Sequence, residues 1–156
     1  MAKEIERKFL VTDSSYRDVA SESHEITQFY LSTNPDRTVR VRIMDDHAFI
    51  TVKTRNKGSV RNEWEFEIDS VQAREILHET GSAENCISKI RYIVPAGEPG
   101  LCWEVDEFKG KHNGLVVAEI ELPSPDTGFN LPSFIGEEVT GKKEYYNSSL
   151  VSSTDV

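Results

Sequence analysis

Apolar and polar residues alternate with a period of two through most of this chain. Successive side chains of a strand point to opposite faces, so this period predicts strands with one oily and one polar face. Eight such stretches occur, at 3–11, 25–31, 38–44, 48–55, 61–68, 87–94, 101–108 and 115–122. Turn-forming clusters separate several of them: Asp45-Asp46-His47, Asn56-Lys57-Gly58-Ser59, and the run from Pro95 to Gly100. Together they predict an antiparallel, mainly β domain with a few helices. One helix is expected after Asp69 or Ser70 as N-cap, carrying Val71, Ile76 and Leu77 and stopping at Gly81. Shorter helices are expected near 14–20 and 145–151, and 123–132 reads as an irregular connection.

The polar positions are largely ionic. In the first strand Glu4, Glu6 and Lys8 share one face, with Ile5 and Phe9 on the other. Same-face neighbours lie roughly 6.6 Å apart, a spacing that suits a site holding both a divalent cation and an anion. Later strands contribute Arg40 and Arg42; Thr51, Lys53 and Arg55; Arg61, Glu63, Glu65 and Glu67; Lys89 and Arg91; Glu104 and Asp106; and Glu119 and Glu121. Their opposite faces carry Val41, Ile43, Trp64, Phe66, Trp103, Val105 and Ile120. Within most strands the charges share a sign. A solvated surface gains little from like-charged neighbours, whereas a site clamping a polyanion beside a metal ion requires that segregation. Parity alone leaves open which face lies inside.

The 156 residues fit one domain, 1–156, with a substantial core. A net charge of −9 argues against wrapping nucleic acid or an anionic membrane as the main task, though converging basic residues can still hold a small anion. No apolar run is long enough to span a bilayer, and charges from Lys3 to Lys8 interrupt any signal-peptide pattern. Cys86 and Cys102 lack metal-ligand spacing and fit reduced thiols of a cytoplasmic protein. The four histidines show no metal spacing either. The stretch Gly136–Lys143 nearly matches a P-loop, but it lacks the final Ser or Thr and carries two glutamates that would repel phosphate.

An ordered set of segments resembles the triphosphate tunnel metalloenzymes, or CYTH domains, over nearly the whole chain: Glu4-Ile5-Glu6-Arg7-Lys8, Gln28-Phe29-Tyr30-Leu31, Val39-Arg40-Val41-Arg42, Thr51-Val52-Lys53, Glu63-Trp64-Glu65, Lys89-Ile90-Arg91-Tyr92, Trp103-Glu104-Val105-Asp106, Ala118-Glu119-Ile120-Glu121 and Gly136–Gly141. The resemblance implies an eight-stranded antiparallel closed β-barrel, a tunnel with a charged lumen and helices outside. It implies metal-dependent hydrolysis of inorganic triphosphate to diphosphate and phosphate, with Mg²⁺ or Mn²⁺ and side activity on nucleoside triphosphates. By position, Lys8, Arg40, Arg42, Lys53, Lys89 and Arg91 would clamp phosphate, and Tyr30 and Lys143 would approach the substrate. Glu4, Glu6, Glu119 and Glu121 would hold metal; Glu63, Glu65 and Asp106 would bind a second ion or orient water. The C-terminal segment would fold over one mouth, although Glu144 stands where relatives often carry arginine. Thiamine triphosphatase and class IV adenylyl cyclase activities are alternatives within the family, and a non-catalytic polyphosphate- or nucleotide-binding module is an alternative outside enzymes. The partner implied is a small triphosphate; an apolar exterior patch would allow a homodimer, but no residue specifies one.

Overall fold

A computed structural model describes residues 2–55, 57–81 and 85–151. Among the described residues nine strands form one sheet: β1 (Ala2–Val11), β2 (Glu22–Ser32), β3 (Thr38–Met44), β4 (His47–Lys53), β5 (Val60–Ile68), β6 (Cys86–Pro95), β7 (Cys102–Phe108), β8 (Val116–Glu121) and β9 (Ile135–Glu138). The order is β5-β4-β3-β2-β6-β7-β8-β1-β9, and pairing of β5 with β1 closes eight of them into an antiparallel barrel. β1 serves both sides of the closure. Its residues 6–10 pair with β8, whereas residues 2–5 pair with β5 and the far end pairs with β9. The ninth strand lies outside the eight predicted, in a stretch whose Gly-Glu-Glu composition lacks a clean alternation.

The ionic face turns inward and the oily face outward, where helices and loops cover it. Helix α1 (Tyr16–Val19) brings Tyr16 against Tyr92 and Phe134. Phe9, Trp103 and Phe129 meet edge to face over Ile5, Val105, Ala118 and Ile120. Helix α2 (Ser70–Thr80) is capped by the Asp69 carboxylate, which accepts from the Gln72 amide at 3.1 Å. It packs Ala73, Ile76 and Leu77 on Phe29, Val41, Ile43 and Ala48. Between β3 and β4 the turn is Asp45-Asp46, with His47 already paired to Met44; Asp45 takes the left-handed φ of 55° that a short polar side chain tolerates.

At one end of the barrel the inward positions change from ionic to apolar. Tyr30, Ile87, Phe108 and Val117 meet there, and the C-terminal helix α3 (Asn147–Leu150) presses Leu150 and Val151 into them. His112 Nε2 and Lys111 Nζ hold the carbonyls of Leu150 and Val151 at 2.6 and 2.8 Å. The chain reaches this point through a turn at Gly141, whose φ of +79° suits glycine. No helix among the described residues is long and apolar enough to cross a membrane.

Candidate active site in the barrel lumen

Strand order sorts the lumen into two arcs. The consecutive strands β4, β3, β2 and β6 present Lys53, Arg40, Arg42, Lys89 and Arg91, with the polar Thr51, Gln28 and Tyr30 between them. The strands β7, β8, β1 and β5 present Glu104, Asp106, Glu119, Glu121, Glu4, Glu6, Glu63 and Glu65, interrupted by Lys8 and Arg61. Like charges on one strand thus become like charges on one wall.

Ion pairs seal the two seams where these walls meet. At the first, Asp106 accepts from Arg91 Nε and Nη2 at 2.8 and 2.9 Å and lies 2.7 Å from Lys89 Nζ, while Glu104 lies 3.1 Å from Arg91 Nη1. At the second, Lys53 Nζ reaches both Glu4 oxygens at 3.1 and 2.9 Å and Glu63 at 3.6 Å. Farther along this seam, Glu65 accepts from Thr51 Oγ1 at 2.8 Å and lies 3.9 and 3.8 Å from Arg40 and Arg42. Within the acidic wall, Lys8 sits 3.2 Å from Glu119 and Arg61 sits 3.6 Å from Glu4.

These neighbours set the protonation states. Burial raises the Glu6 carboxyl well above the ordinary range, and the charges of Glu119 and Glu4 push the same way. Burial would raise Glu119 too, but Lys8 and a hydrogen bond from Glu6 hold it well below. The second pair behaves alike. A hydrogen bond to Glu4, then burial, lifts Glu63 to about 7, while Lys53 and Glu63 outweigh burial and bring Glu4 down to about 2. Each pair is a carboxyl donating to a carboxylate, and a divalent cation could replace that shared proton.

Among the described residues no three Asp, Glu, His or Cys side chains are gathered as a metal cage. The donor set nonetheless fits a hard cation. Its members are all oxygens, and Mg²⁺ needs only one or two carboxylates when phosphate oxygens and water complete its shell. Glu6 and Glu119 meet that requirement; Glu121 is exposed and shares a surface pocket with Glu104 at an acidic mouth.

The lumen holds a cavity of about 40 Å³, lined by Glu6, Lys8, Tyr30, Arg40, Lys53, Lys89, Arg91 and Glu119, and also by Thr38, Thr51, Arg61 and Tyr146-Asn147-Ser148. Thr38, Arg61, Tyr146 and Ser148 also line a vestibule of about 310 Å³, where Lys143 and Arg55 stand. Lys143 is therefore placed at the mouth, not in the lumen. The Nε donors of Arg40 and Arg42 are buried with no hydrogen-bond partner among the described residues.

Sequence reasoning put Arg61 and Thr51 on the ionic face without assigning them a role. Their strand parity, matching Glu63 and Lys53, was the available signal. Gln28 shares parity with Tyr30 and could have been found the same way. Tyr146 and Asn147 carry no such signal, because a four-residue helix has no period to read.

The CYTH domain family model matches residues 2–154. An inorganic triphosphatase of Acetivibrio thermocellus is 44% identical over 151 residues, covering 97% of this chain and 94% of its own. One from Nitrosomonas europaea is 34% identical over 150 residues, covering 94% and 95%. A solved inorganic triphosphatase structure superposes with a TM-score of 0.66 at 31% identity, over 96% of this chain and 98% of its own. A Pyrococcus horikoshii protein of solved structure, 20% identical over 79% of this chain and 80% of its own, shares the fold with a TM-score of 0.62. By its barrel, its inward ionic face and these matches, the chain belongs to the CYTH domain family.

Proposed function

We propose that this chain hydrolyses inorganic triphosphate to diphosphate and phosphate, with nucleoside triphosphates as secondary substrates. The observation that carries the reading is the pair of buried, unpartnered Nε donors on Arg40 and Arg42, in a wall that also presents Lys53, Lys89 and Arg91. Buried donors without acceptors are costly, and a polyanion supplies the acceptors they lack. The triphosphatase names of the relatives at 44% and 34% identity support the same chemistry.

In this reading the basic wall binds the phosphoryl chain, with the arginines offering two-pronged contacts to its oxygens. Lys8, set among the acids beside Glu119, reaches the end of the chain nearest the carboxylates. Glu6 and Glu119, with Glu4 and Glu121 beside them, would hold Mg²⁺ or Mn²⁺. When bound, that cation supplies charge neutralisation and polarisation of a phosphoryl oxygen. Glu63, already able to exchange a proton near neutrality, and Glu65 would orient water for in-line attack on the terminal phosphorus. The bond from that phosphorus to the bridging oxygen breaks, and diphosphate leaves with its new negative charge facing the basic wall. Asp106 keeps Lys89 and Arg91 positioned and touches no reacting atom in this arrangement. Free thiols at Cys86 and Cys102 support a reducing, cytoplasmic setting.

The purified protein would be given triphosphate, ATP and thiamine triphosphate with Mg²⁺ or Mn²⁺, with and without chelator, while phosphate and cyclic AMP are measured. Metal-dependent phosphate release, greatest with inorganic triphosphate and lost in Glu6→Gln at unchanged melting temperature, is expected. Absence of turnover with every substrate would sink the enzyme reading. Tight triphosphate binding without turnover would favour a binding module.

A further inference from the structure

The residues that follow Gly141 do more than close a mouth. The Tyr145 carbonyl accepts from Lys8 Nζ at 3.2 Å. Asn147 Oδ1 accepts from Lys89 Nζ at 3.0 Å and from Gln28 Nε2 at 3.1 Å. Between them the Tyr146 ring stands 5.5 Å from Lys8 Nζ and 5.8 Å from Arg61 Cζ. Three lumenal cations are thus met by uncharged acceptors from one short turn. Lys89 and Gln28 are almost fully buried, so the Asn147 oxygen is seated inside the site.

Space leads to the same residue. Lys89 and Asn147 both line the lumenal cavity of about 40 Å³. Tyr146 and Ser148, with Thr38 and Arg61, line both this cavity and the vestibule, so the turn stands where the two adjoin. A phosphoryl oxygen that takes this Lys89 N–H must displace the Asn147 oxygen that already accepts from it.

We propose that Asn147 is a positioning and affinity-setting residue: its Oδ1 stands in for a phosphoryl oxygen on Lys89, and triphosphate binds by displacing it. The inference rests on the reading of the lumen as a triphosphate site. In the resting protein the stand-in keeps Lys89 and Gln28 satisfied and oriented. It sets a threshold that a multiply charged chain crosses more readily than a single phosphate ion, so the same contact re-forms as products leave.

The test is calorimetric titration of tripolyphosphate into chelator-treated wild type, Asn147→Ala and Asn147→Asp, with KM, kcat and melting temperature measured alongside. Asn147→Ala removes the competitor, so it tightens Kd and lowers KM by roughly tenfold, the scale of one hydrogen bond to a charged group, with kcat held within about twofold. Asn147→Asp sets a carboxylate on Lys89 and weakens binding by at least about tenfold. Weaker or unchanged binding in Asn147→Ala, or tighter or unchanged binding in Asn147→Asp, would overturn the proposal. The aspartate variant keeps the oxygen and the side-chain size, so it remains informative if the alanine variant fails to fold. Wild type that neither binds nor hydrolyses tripolyphosphate would overturn the site assignment itself.

Discussion

Burial opposes the positive charge on Lys89, while Asp106 beside it favours that charge; burial prevails, and the ammonium titrates at about 8 instead of 10.5. A phosphate clamp needs this group protonated. We expect kcat/KM for triphosphate to fall as pH rises through about 8, because kcat/KM reports the free enzyme's ionisations. Stability moves the other way. Between about 8 and 10.5 the unfolded chain binds the Lys89 proton more tightly than the folded one, so this residue's contribution to stability rises with pH across that window. Loss of activity there therefore precedes any unfolding that Lys89 could cause. In Lys89→Arg the guanidinium stays charged, and the alkaline limb should move upward. A pH profile paired with melting curves checks both statements, and an unmoved limb in the arginine variant would remove Lys89 from the clamp. Most of the lumenal charges were legible in the sequence, since strand parity alone places Arg40, Arg42, Lys89 and Arg91 on one face. Their pairing was not legible: that Asp106 is shared by Lys89 and Arg91, while Glu104 adds a third contact, follows from neighbouring strands that no local pattern identifies.

The barrel depends on β1 passing from one neighbour to another along a single edge. After Ile5 its partner β5 ends, and β9 with the following turn takes over: the Lys8 amide donates to Thr140 Oγ1 at 2.9 Å, and the Val139 amide donates to the Lys8 carbonyl at 2.8 Å. Gly136 permits this approach, because a Cβ there would meet Thr12 Cγ2 at 2.8 Å and the Leu10 carbonyl oxygen at 3.3 Å. Gly136→Ala should wedge β9 from β1 and cost about 1–3 kcal/mol, the usual range for overpacking. Urea unfolding measures the loss. The variant should also raise KM, since β9 leads into the turn that carries Tyr145 to Asn147; an unchanged midpoint would mean β9 is not held by that contact. The long strands and α2 were readable from alternation and from the Asp69 and Gly81 end signals. The short C-terminal helix expected near 145–151 is present as α3, whereas β9 was too short to impose a period; tertiary contacts hold both, β9 against β1, and Leu150 against Tyr30, Ile87, Phe108 and Val117.

At the scale of the whole molecule, closure decides what parity could not. A strand with Trp103 and Val105 on one face and Glu104 and Asp106 on the other can turn either face inward. Only the completed circuit, with β5 reaching β1 and helices and loops laid over the oily side, sends the acids and bases to the lumen. Once inside, the charges pair unevenly, and Arg40 and Arg42 reach Glu65 only at 3.9 and 3.8 Å. The seams pair off, but Arg40 and Arg42 keep buried Nε donors unpartnered among the described residues. A chain with net charge −9 thereby keeps one basic wall, on β4, β3, β2 and β6, turned toward the lumen. The most direct test is calorimetric titration of tripolyphosphate into chelator-treated wild type and an Arg40→Ala/Arg42→Ala double variant whose melting temperature shows that it is folded. The predicted result is saturable binding to wild type that the double variant weakens by at least about a hundredfold, the scale of two lost charge-assisted contacts. Binding of equal strength in both proteins would contradict the assignment of the lumen as the triphosphate site.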